Sequence, residues 1–126
     1  MVRAIIGNAH YQTRLYAAGH ELLADEPEEL GGTNAGPAPG ELLMLSLASC
    51  TAITLRMYAD RKAWPIDQIE VEIDLEKSGE TNIFKREIHL SGELTDEQRS
   101  RLLQIANACP VHKVLTHPIE VTTQLV

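Results

Sequence analysis

Two cysteines are the residues of this chain best suited to chemistry. Cys50 lies in a stretch between Glu41 and Arg56 that contains no charged residue, and Cys109 stands before a proline in the string ANACPVHKVL. A thiol becomes a strong nucleophile where a cation or a helix N-terminus lowers its pKa. A buried cysteine is otherwise a small, inert hydrophobe. The two thiols are therefore either a redox pair or ordinary core residues.

A cation that activates Cys50 has to come from another element. Arg56 lies six residues along the chain, about 240° around a helix, so it points away from Cys50. The candidates on the first predicted hairpin are Arg14, His10 and His20. The helix neighbours of Cys50 at spacings of three and four residues are Ser46, Leu47, Ile53 and Thr54.

Zinc binding is a competing use of the cysteines. Cys109 and His112 have a C-x-x-H spacing, and Cys50 with one of His10, His20 or His117 would complete four ligands. A structural zinc site usually shows two such short pairs, and this chain has one. The sequence therefore predicts no metal and no other cofactor.

The pattern of glycine, proline and apolar residues gives the elements that position the thiols. A loop is predicted over 31–40, where glycine and proline are frequent, and a helix from Pro39 to about Lys62, because Trp64-Pro65 disfavours helical angles. Thr95 and Gln98 form a capping box for a second helix that reaches Cys109, and a short helix follows Pro110. Strands are predicted over 9–16, 20–25, 69–77, 83–91 and 119–126.

These elements predict an α+β fold in which an antiparallel sheet wraps a long central helix. The chain length fits a single domain over residues 1–126. The predicted helix is apolar around most of its circumference, and one small sheet cannot cover both of its sides. A second copy of the chain is the expected cover, which predicts a homodimer.

Composition excludes several partners. A net charge of −7 and a pI near 5.1 argue against nucleic acid or an anionic membrane surface as the main partner. The first residues lack a signal-peptide pattern, and the apolar stretch 42–55 is too short to span a bilayer. We therefore expect a soluble, cytoplasmic protein in which two cysteines are free, catalytic or metal-binding rather than a structural disulfide.

The run GPAPGELLMLSLASCTAITLRMYADRKAWP, together with the distant CPVH, resembles the OsmC/Ohr family, the osmotically induced and organic hydroperoxide resistance proteins. The likeness covers nearly the whole chain and is greatest for the general OsmC-like branch. It implies an intertwined homodimer with two active sites at the interface. It also implies a thiol peroxidase that reduces organic hydroperoxides.

The resemblance assigns roles to individual residues. Cys50 matches the peroxidatic cysteine, which becomes a sulfenic acid, and Cys109 matches the resolving cysteine, which condenses with it to a disulfide. A dithiol reductant, lipoyl-linked in characterised members, restores both thiols. The family also uses an arginine that stabilises the thiolate and a glutamate that holds the arginine. Arg14 and Glu41 are the residues here that match these roles, although Gly40 occupies the family's glutamate position.

A non-enzymatic function is the alternative. In that case the chain is an OsmC-fold dimer whose interface binds a small apolar or thiol-bearing ligand, and it has no need of an activated thiol.

Overall fold

The computed structural model describes all residues 1–126, and it contains five strands and three α-helices. Two compact units divide the chain, Met1–Leu43 and Met44–Val126. The elements are β1 Val2–Ile6, β2 Thr13–Ala17, β3 His20–Ala24, α1 Pro39–Lys62, β4 Gln68–Ser78, β5 Thr81–Ser91, α2 Asp96–Ala106 and α3 Pro110–Leu115. The mixed α/β composition with antiparallel sheets and a long helix confirms that part of the predicted fold class. The extent of the single domain stays a prediction.

The N-terminal unit contains a three-stranded antiparallel sheet in the order β1-β2-β3. Ala18 and Gly19 join β2 to β3, and both have positive φ, 50° and 82°. Two such residues make the tight turn whose twist matches that of an antiparallel pair. The predicted hairpin is therefore confirmed, although β2 begins at Thr13 rather than near residue 9.

A buried carboxylate organises the loop that leads to α1. Oδ1 of Asp25 accepts the N–H groups of Tyr11 (3.0 Å) and Glu26 (2.8 Å). Oδ2 accepts the hydroxyl of Thr33 (2.6 Å) and the N–H groups of Thr33 (3.2 Å) and Ala35 (3.0 Å). These donors, the Thr33 hydroxyl first, hold the pKa of Asp25 well below its usual range against the opposing effect of burial.

The glycines of this loop allow a close approach of backbone to backbone. A Cβ at Gly32 would overlap the carbonyl of Glu26, and one at Gly36 would overlap the carbonyl of Leu23. A side chain is therefore excluded at these two positions, which explains why glycine occupies them.

Helix α1 has the predicted bounds, and its two faces differ in the C-terminal unit. Leu47, Thr51, Leu55 and Ala59, which are spaced by four residues, are 0–4% exposed. On the opposite face Leu45, Ile53 and Met57 are 53–60% exposed. The helix is therefore covered on one side by its own chain and is bare and apolar on the other.

The same helix is long and apolar enough to cross a membrane by length and composition alone. This corrects the length estimate made from 42–55, because the helix extends through all 24 residues from Pro39 to Lys62. A core helix of a soluble protein meets the same two conditions.

The C-terminal unit is built on a two-stranded antiparallel sheet, β4-β5, with a core above it. The strands pair along their full lengths, from Gln68↔Ser91 to Ser78↔Thr81. Helix α2 begins with the predicted capping box, in which Thr95 and Gln98 exchange side-chain and backbone hydrogen bonds. The core cluster consists of Leu55, Ala59, Ile66, Leu102 and Ala106.

Two expectations about strands were wrong. The first residues form β1, which pairs with β2 and was not predicted. The predicted strand 119–126 is absent, and these residues are exposed without regular structure. Their alternation favours a strand, but a strand needs a neighbour to satisfy its backbone groups, and these residues pair with no other strand of this chain.

Candidate active site

The two cysteines meet in the C-terminal unit as free thiols that are hydrogen-bonded to each other. Cys50 lies in the middle of α1 and is partly exposed, whereas Cys109 lies between α2 and α3 and is 0% exposed. Residues 59 positions apart in sequence are thus in side-chain contact. The predicted pairing of the thiols is present in the fold, although their roles stay predictions.

Arg86 of β5 is the cation next to this pair. Its Nη1 donates to Oγ1 of Thr51 (3.1 Å) and to the carbonyl of Ala106 (3.4 Å), and its Nη2 donates to Oδ1 of Asn107 (3.0 Å). The guanidinium therefore contacts α1, α2 and the segment that leads to Cys109. Burial lowers the pKa of Arg86, and the charge of Cys109 raises it. A guanidinium stays protonated in proteins, so Arg86 is a fixed positive charge.

His112 of α3 completes the polar surroundings. Its Nδ1 lies 3.4 Å from Nη2 of Arg86. Since a guanidinium only donates, Nδ1 has to be the acceptor, which places the imidazole proton on Nε2. Burial, then the charges of Arg86 and His117, lower the pKa of His112. The imidazole is therefore neutral at neutral pH.

The pKa values of the two thiols are shifted in opposite directions. Burial, followed by the hydrogen bond with Cys109, raises the pKa of Cys50. Burial also acts to raise the pKa of Cys109, but a hydrogen bond from Cys50 and the N–H groups of His112 and Val111 outweigh it, so that the pKa is lowered. The Cys109 side chain makes no capping hydrogen bond at the start of α3, but the N–H groups of Val111 and His112 still lower its pKa. The surroundings therefore favour a thiolate on Cys109 over one on Cys50.

The hydroxyl of Thr51 interacts with both Arg86 and Cys109, and it has a single proton to donate. Its buried hydroxyl donates to the carbonyl of Leu47 (2.7 Å) and accepts from Arg86. A hydroxyl has one proton, so it stabilises a Cys109 thiolate only by sharing that proton or by turning away from Leu47. The carbonyl of Leu47 and the sulfur of Cys109 therefore compete for one hydroxyl proton.

The other two predicted site residues lie in the N-terminal unit. Arg14 is on β2, opposite Ile5 and Leu23, and lines a groove of about 580 Å³ with residues of the same sheet and of the loop between β1 and β2. Glu41 is in the first turn of α1, where Oε1 accepts the N–H of Ala38 (2.9 Å). That contact satisfies a donor at the start of the helix. Their proposed action on the thiols stays a prediction.

Sequence reasoning missed Arg86, and the signal was present in β5. Phe84, Arg86, Ile88 and Leu90 occupy the more buried positions of the strand, and the residues between them are exposed. A period of two with one cation in the apolar series marks a charge that faces the interior.

The predicted zinc alternative does not assemble. His112 turns Nδ1 to a guanidinium, and the one group of three potential ligands within 4.8 Å of one another is Glu72, Glu87 and His89 on the exposed side of β4-β5. These three side chains contact one another, since Nε2 of His89 lies 3.3 Å from a carboxylate oxygen of Glu72 and 3.9 Å from one of Glu87.

Residues 32–124 match the family described as OsmC-like protein. A search of curated proteins finds no match. Solved structures with the same fold include a protein of the osmotic stress and detoxification response from Psychrobacter arcticus, with a TM-score of 0.77 and 22% identity, covering 93% of this chain and 88% of that one.

Two further structures bear names that concern hydroperoxides. The organic hydroperoxide resistance protein OsmC of Legionella pneumophila has a TM-score of 0.62 and 22% identity, covering 92% of this chain and 88% of its own. A protein of Vibrio cholerae in the organic hydroperoxide resistance class holds captopril in one of its active sites. It has a TM-score of 0.64 and 17% identity, covering 92% and 84%. At these identities the likeness shows the fold.

Proposed function

The chain belongs to the OsmC-like protein family, and from that premise we propose that it is a thiol peroxidase that reduces organic hydroperoxides with Cys50 and Cys109. The observation that carries the proposal is the hydrogen-bonded pair of free thiols beside the fixed charge of Arg86. Names of proteins with the same fold give further support, since those of the Legionella pneumophila and Vibrio cholerae proteins concern hydroperoxide resistance.

The exposure of the thiols favours Cys50 as the group that attacks the peroxide. Cys50 is partly exposed and Cys109 is not. The hydrogen bond between them lets the proton of Cys50 move to Cys109, which gives a Cys50 thiolate. This thiolate attacks the O–O bond, becomes a sulfenic acid and expels an alkoxide, which takes the proton now on Cys109 to give the alcohol and restores the Cys109 thiolate.

The second step closes the disulfide. The Cys109 thiolate attacks the sulfenic sulfur of Cys50, the S–O bond breaks and hydroxide leaves. Two thiols and one hydroperoxide have then become a disulfide, an alcohol and water. On this proposal a dithiol reductant, for example a lipoyl-linked one, returns the pair to its reduced state, and a reducing cytoplasm supplies such reductants. No resident cofactor takes part.

Mass spectrometry tests this function directly. The reduced protein is mixed with one equivalent of cumene hydroperoxide, and we expect a loss of two hydrogens and a Cys50–Cys109 cross-link in the peptide map. Cys50→Ser, which keeps a hydroxyl of similar size, is the matched control and gives no cross-link. Unmodified thiols in the wild-type protein would contradict a peroxidase.

The apolar neighbours of Cys50 support an organic substrate. The adjacent positions on α1 include Leu47 and Ile53, with hydroxyl groups only from Ser46 and Thr54. Burying apolar substrate surface gains about 25 cal/mol per Å². An alkyl hydroperoxide should therefore have a kcat/KM roughly one to three powers of ten above that of hydrogen peroxide. Equal kcat/KM values for the two peroxides in steady-state kinetics would contradict selection of the substrate by apolar contacts.

We also propose a homodimer, in which a second copy covers the exposed stripe of α1. Leu45, Ile53 and Met57 form an apolar face on a helix whose other side is already buried. An interface centred on them would be of the large, obligate kind. Light scattering should give twice the chain mass, and Ile53→Glu should disrupt the assembly. Leu103→Glu, at an exposed leucine of α2, is the control. A stable folded monomer at micromolar concentration would contradict the dimer.

A binding function is the second candidate, favoured by the captopril held in an active site of the Vibrio cholerae protein. On this proposal the thiol pair is part of a small-molecule site without turnover. Saturable binding of captopril together with inert thiols would support it over the peroxidase.

A further inference from the structure

The two sulfurs of the pair differ in access. Cys109 is 0% exposed, while Cys50 is partly exposed on α1. A thiol that reduces a disulfide has to approach one of its two sulfurs from outside, and the rate depends on which sulfur it can reach. In a Cys50–Cys109 disulfide, access therefore favours attack at Cys50.

The two sulfurs also differ in their ability to hold a negative charge. Burial opposes a charge on Cys109 as it does on Cys50, but the N–H groups of Val111 and His112, the hydroxyl of Thr51 and the guanidinium of Arg86 all favour a charge on Cys109. For Cys50 the donors are one N–H, that of Val111, and the hydroxyl of Thr54, while burial and Cys109 oppose the charge. The other titratable group that faces the pair is His112 of α3, which is neutral and acts mainly on Arg86.

We propose that a reducing thiolate attacks Sγ of Cys50 in the disulfide, and that Cys109 leaves as the thiolate. The proposal rests on the proposed function, because the disulfide is a product of that reaction. A sulfur that leaves readily is one whose thiol has a low pKa. Exposure favours attack at Cys50, and the surrounding donors favour Cys109 as the leaving sulfur. These two independent features therefore predict the same direction of cleavage.

This step is a thiol–disulfide exchange that needs no proton. A new S–S bond forms between the reductant and Cys50, the Cys50–Cys109 bond breaks, and its electron pair goes to the sulfur of Cys109. The second thiolate of a dithiol then attacks the reductant's own sulfur in the mixed disulfide, which releases Cys50 and leaves the reductant as a disulfide. A monothiol lacks this second group, so its mixed disulfide with Cys50 should accumulate.

Mapping the mixed disulfide tests the proposal without any peroxide turnover. The disulfide is formed with diamide, treated with excess 2-mercaptoethanol, quenched with acid at increasing times and mapped by peptide mass. We expect the mercaptoethanol adduct on Cys50 in at least about tenfold excess over Cys109. An adduct mainly on Cys109 would overturn the proposal. Loss of peroxidase activity alone would not, since the disulfide is made by diamide.

A pH titration of thiolate absorbance at 240 nm gives a second, independent result. The thiolate with the lowered pKa should persist in Cys50→Ser and be lost in Cys109→Ser, and the reverse pattern would overturn the assignment of the leaving group. The ¹³Cβ shifts of both cysteines in the reduced wild-type protein report the same charge without a variant. Cys109 should show the thiolate shift at a lower pH than Cys50, and the opposite order would contradict the proposal.

Discussion

Each of the two units buries an acidic group and surrounds it with donors, but the result differs. In the N-terminal unit the donors act on Asp25, a carboxyl with an ordinary pKa of 3.8, and produce an anion at every physiological pH. In the C-terminal unit they act on thiols with an ordinary pKa of 9.0, where the pKa of Cys109 is lowered while that of Cys50 is raised. The same kinds of N–H and hydroxyl donor thus hold a carboxylate as an anion in one unit and favour the thiolate of Cys109 in the other.

The largest expected effect comes from removing the thiols themselves. Cys50→Ser should abolish peroxide consumption, because a serine hydroxyl does not ionise at neutral pH. Cys109→Ser should complete one turnover and stop at a sulfenic acid prone to over-oxidation, which dimedone trapping and mass spectrometry detect. If the Cys109 variant failed its first turnover while the Cys50 variant consumed peroxide, the two roles would be reversed.

Removing the charge beside the thiols should have the next largest effect. Arg86→Gln should slow disulfide formation at neutral pH by about tenfold for each unit by which the pKa of the pair rises. Rapid-mixing fluorescence or quenched-flow mass spectrometry measures the rate, and its pH profile should move to higher pH.

Arg99→Gln is the matched control for this change. Arg99 lies on α2 in the same unit, and its side chain donates to the carbonyl of Leu90 (3.4 Å). An equal loss in both variants would show that the effect is not specific to the thiol pair. Arg14→Gln, compared in the same experiment, tests the arginine that the sequence predicted. If Arg14→Gln slowed disulfide formation and Arg86→Gln did not, Arg14 would be the arginine that stabilises the thiolate.

Replacing the anchor carboxylate should change stability. Asp25→Asn keeps the shape of the side chain but removes the charge and half of the acceptor capacity that five donors use, so the midpoint of thermal unfolding should fall by several degrees. Circular dichroism on heating measures it, with the exposed Glu28→Gln as control. Equal unfolding midpoints for Asp25→Asn and the wild type would show that this network does not stabilise the loop.

The smallest expected effect is the acid dependence of the same network. The pKa of Asp25 is lower in the folded chain than in the unfolded one, so its contribution to stability is complete above the ordinary pKa of 3.8 and is lost as the pH falls below it. Denaturant unfolding at pH 7, 4 and 3 should show that the difference in the free energy of unfolding between wild type and Asp25→Asn becomes smaller as the pH falls. If this difference did not change with pH, the lowered pKa assigned to Asp25 would be contradicted.

Local signals gave the parts of the fold that the sequence predicted well. The proline at residue 39, the Trp64-Pro65 break and the Thr95 capping box each act within a few residues, and α1 and α2 begin or end where these signals place them. The meeting of Cys50 with Cys109 came from the family resemblance, since nothing in their spacing of 59 residues requires it.

The parts that were missed depend on contacts between distant segments. Strand β1 is defined by pairing with β2, and the alternation of 119–126 lacks a partner in this chain. Arg86 was overlooked because its function depends on Thr51, Ala106 and Asn107, which approach it from other elements. A charge in the apolar series of a strand is the local sign that should have prompted the search.

The pairing of β4 with β5 has a consequence for how this chain tolerates insertions and deletions. Successive residues of a strand point to opposite faces, and in β5 the neighbours of Arg86 are Lys85 and Glu87. Losing one residue from the exposed turn at Gly79 and Glu80, with β4 unchanged, would move Glu87 into the place of Arg86. The thiols would then face an anion instead of a cation. The length of a surface turn thus determines the sign of the charge at the reactive pair.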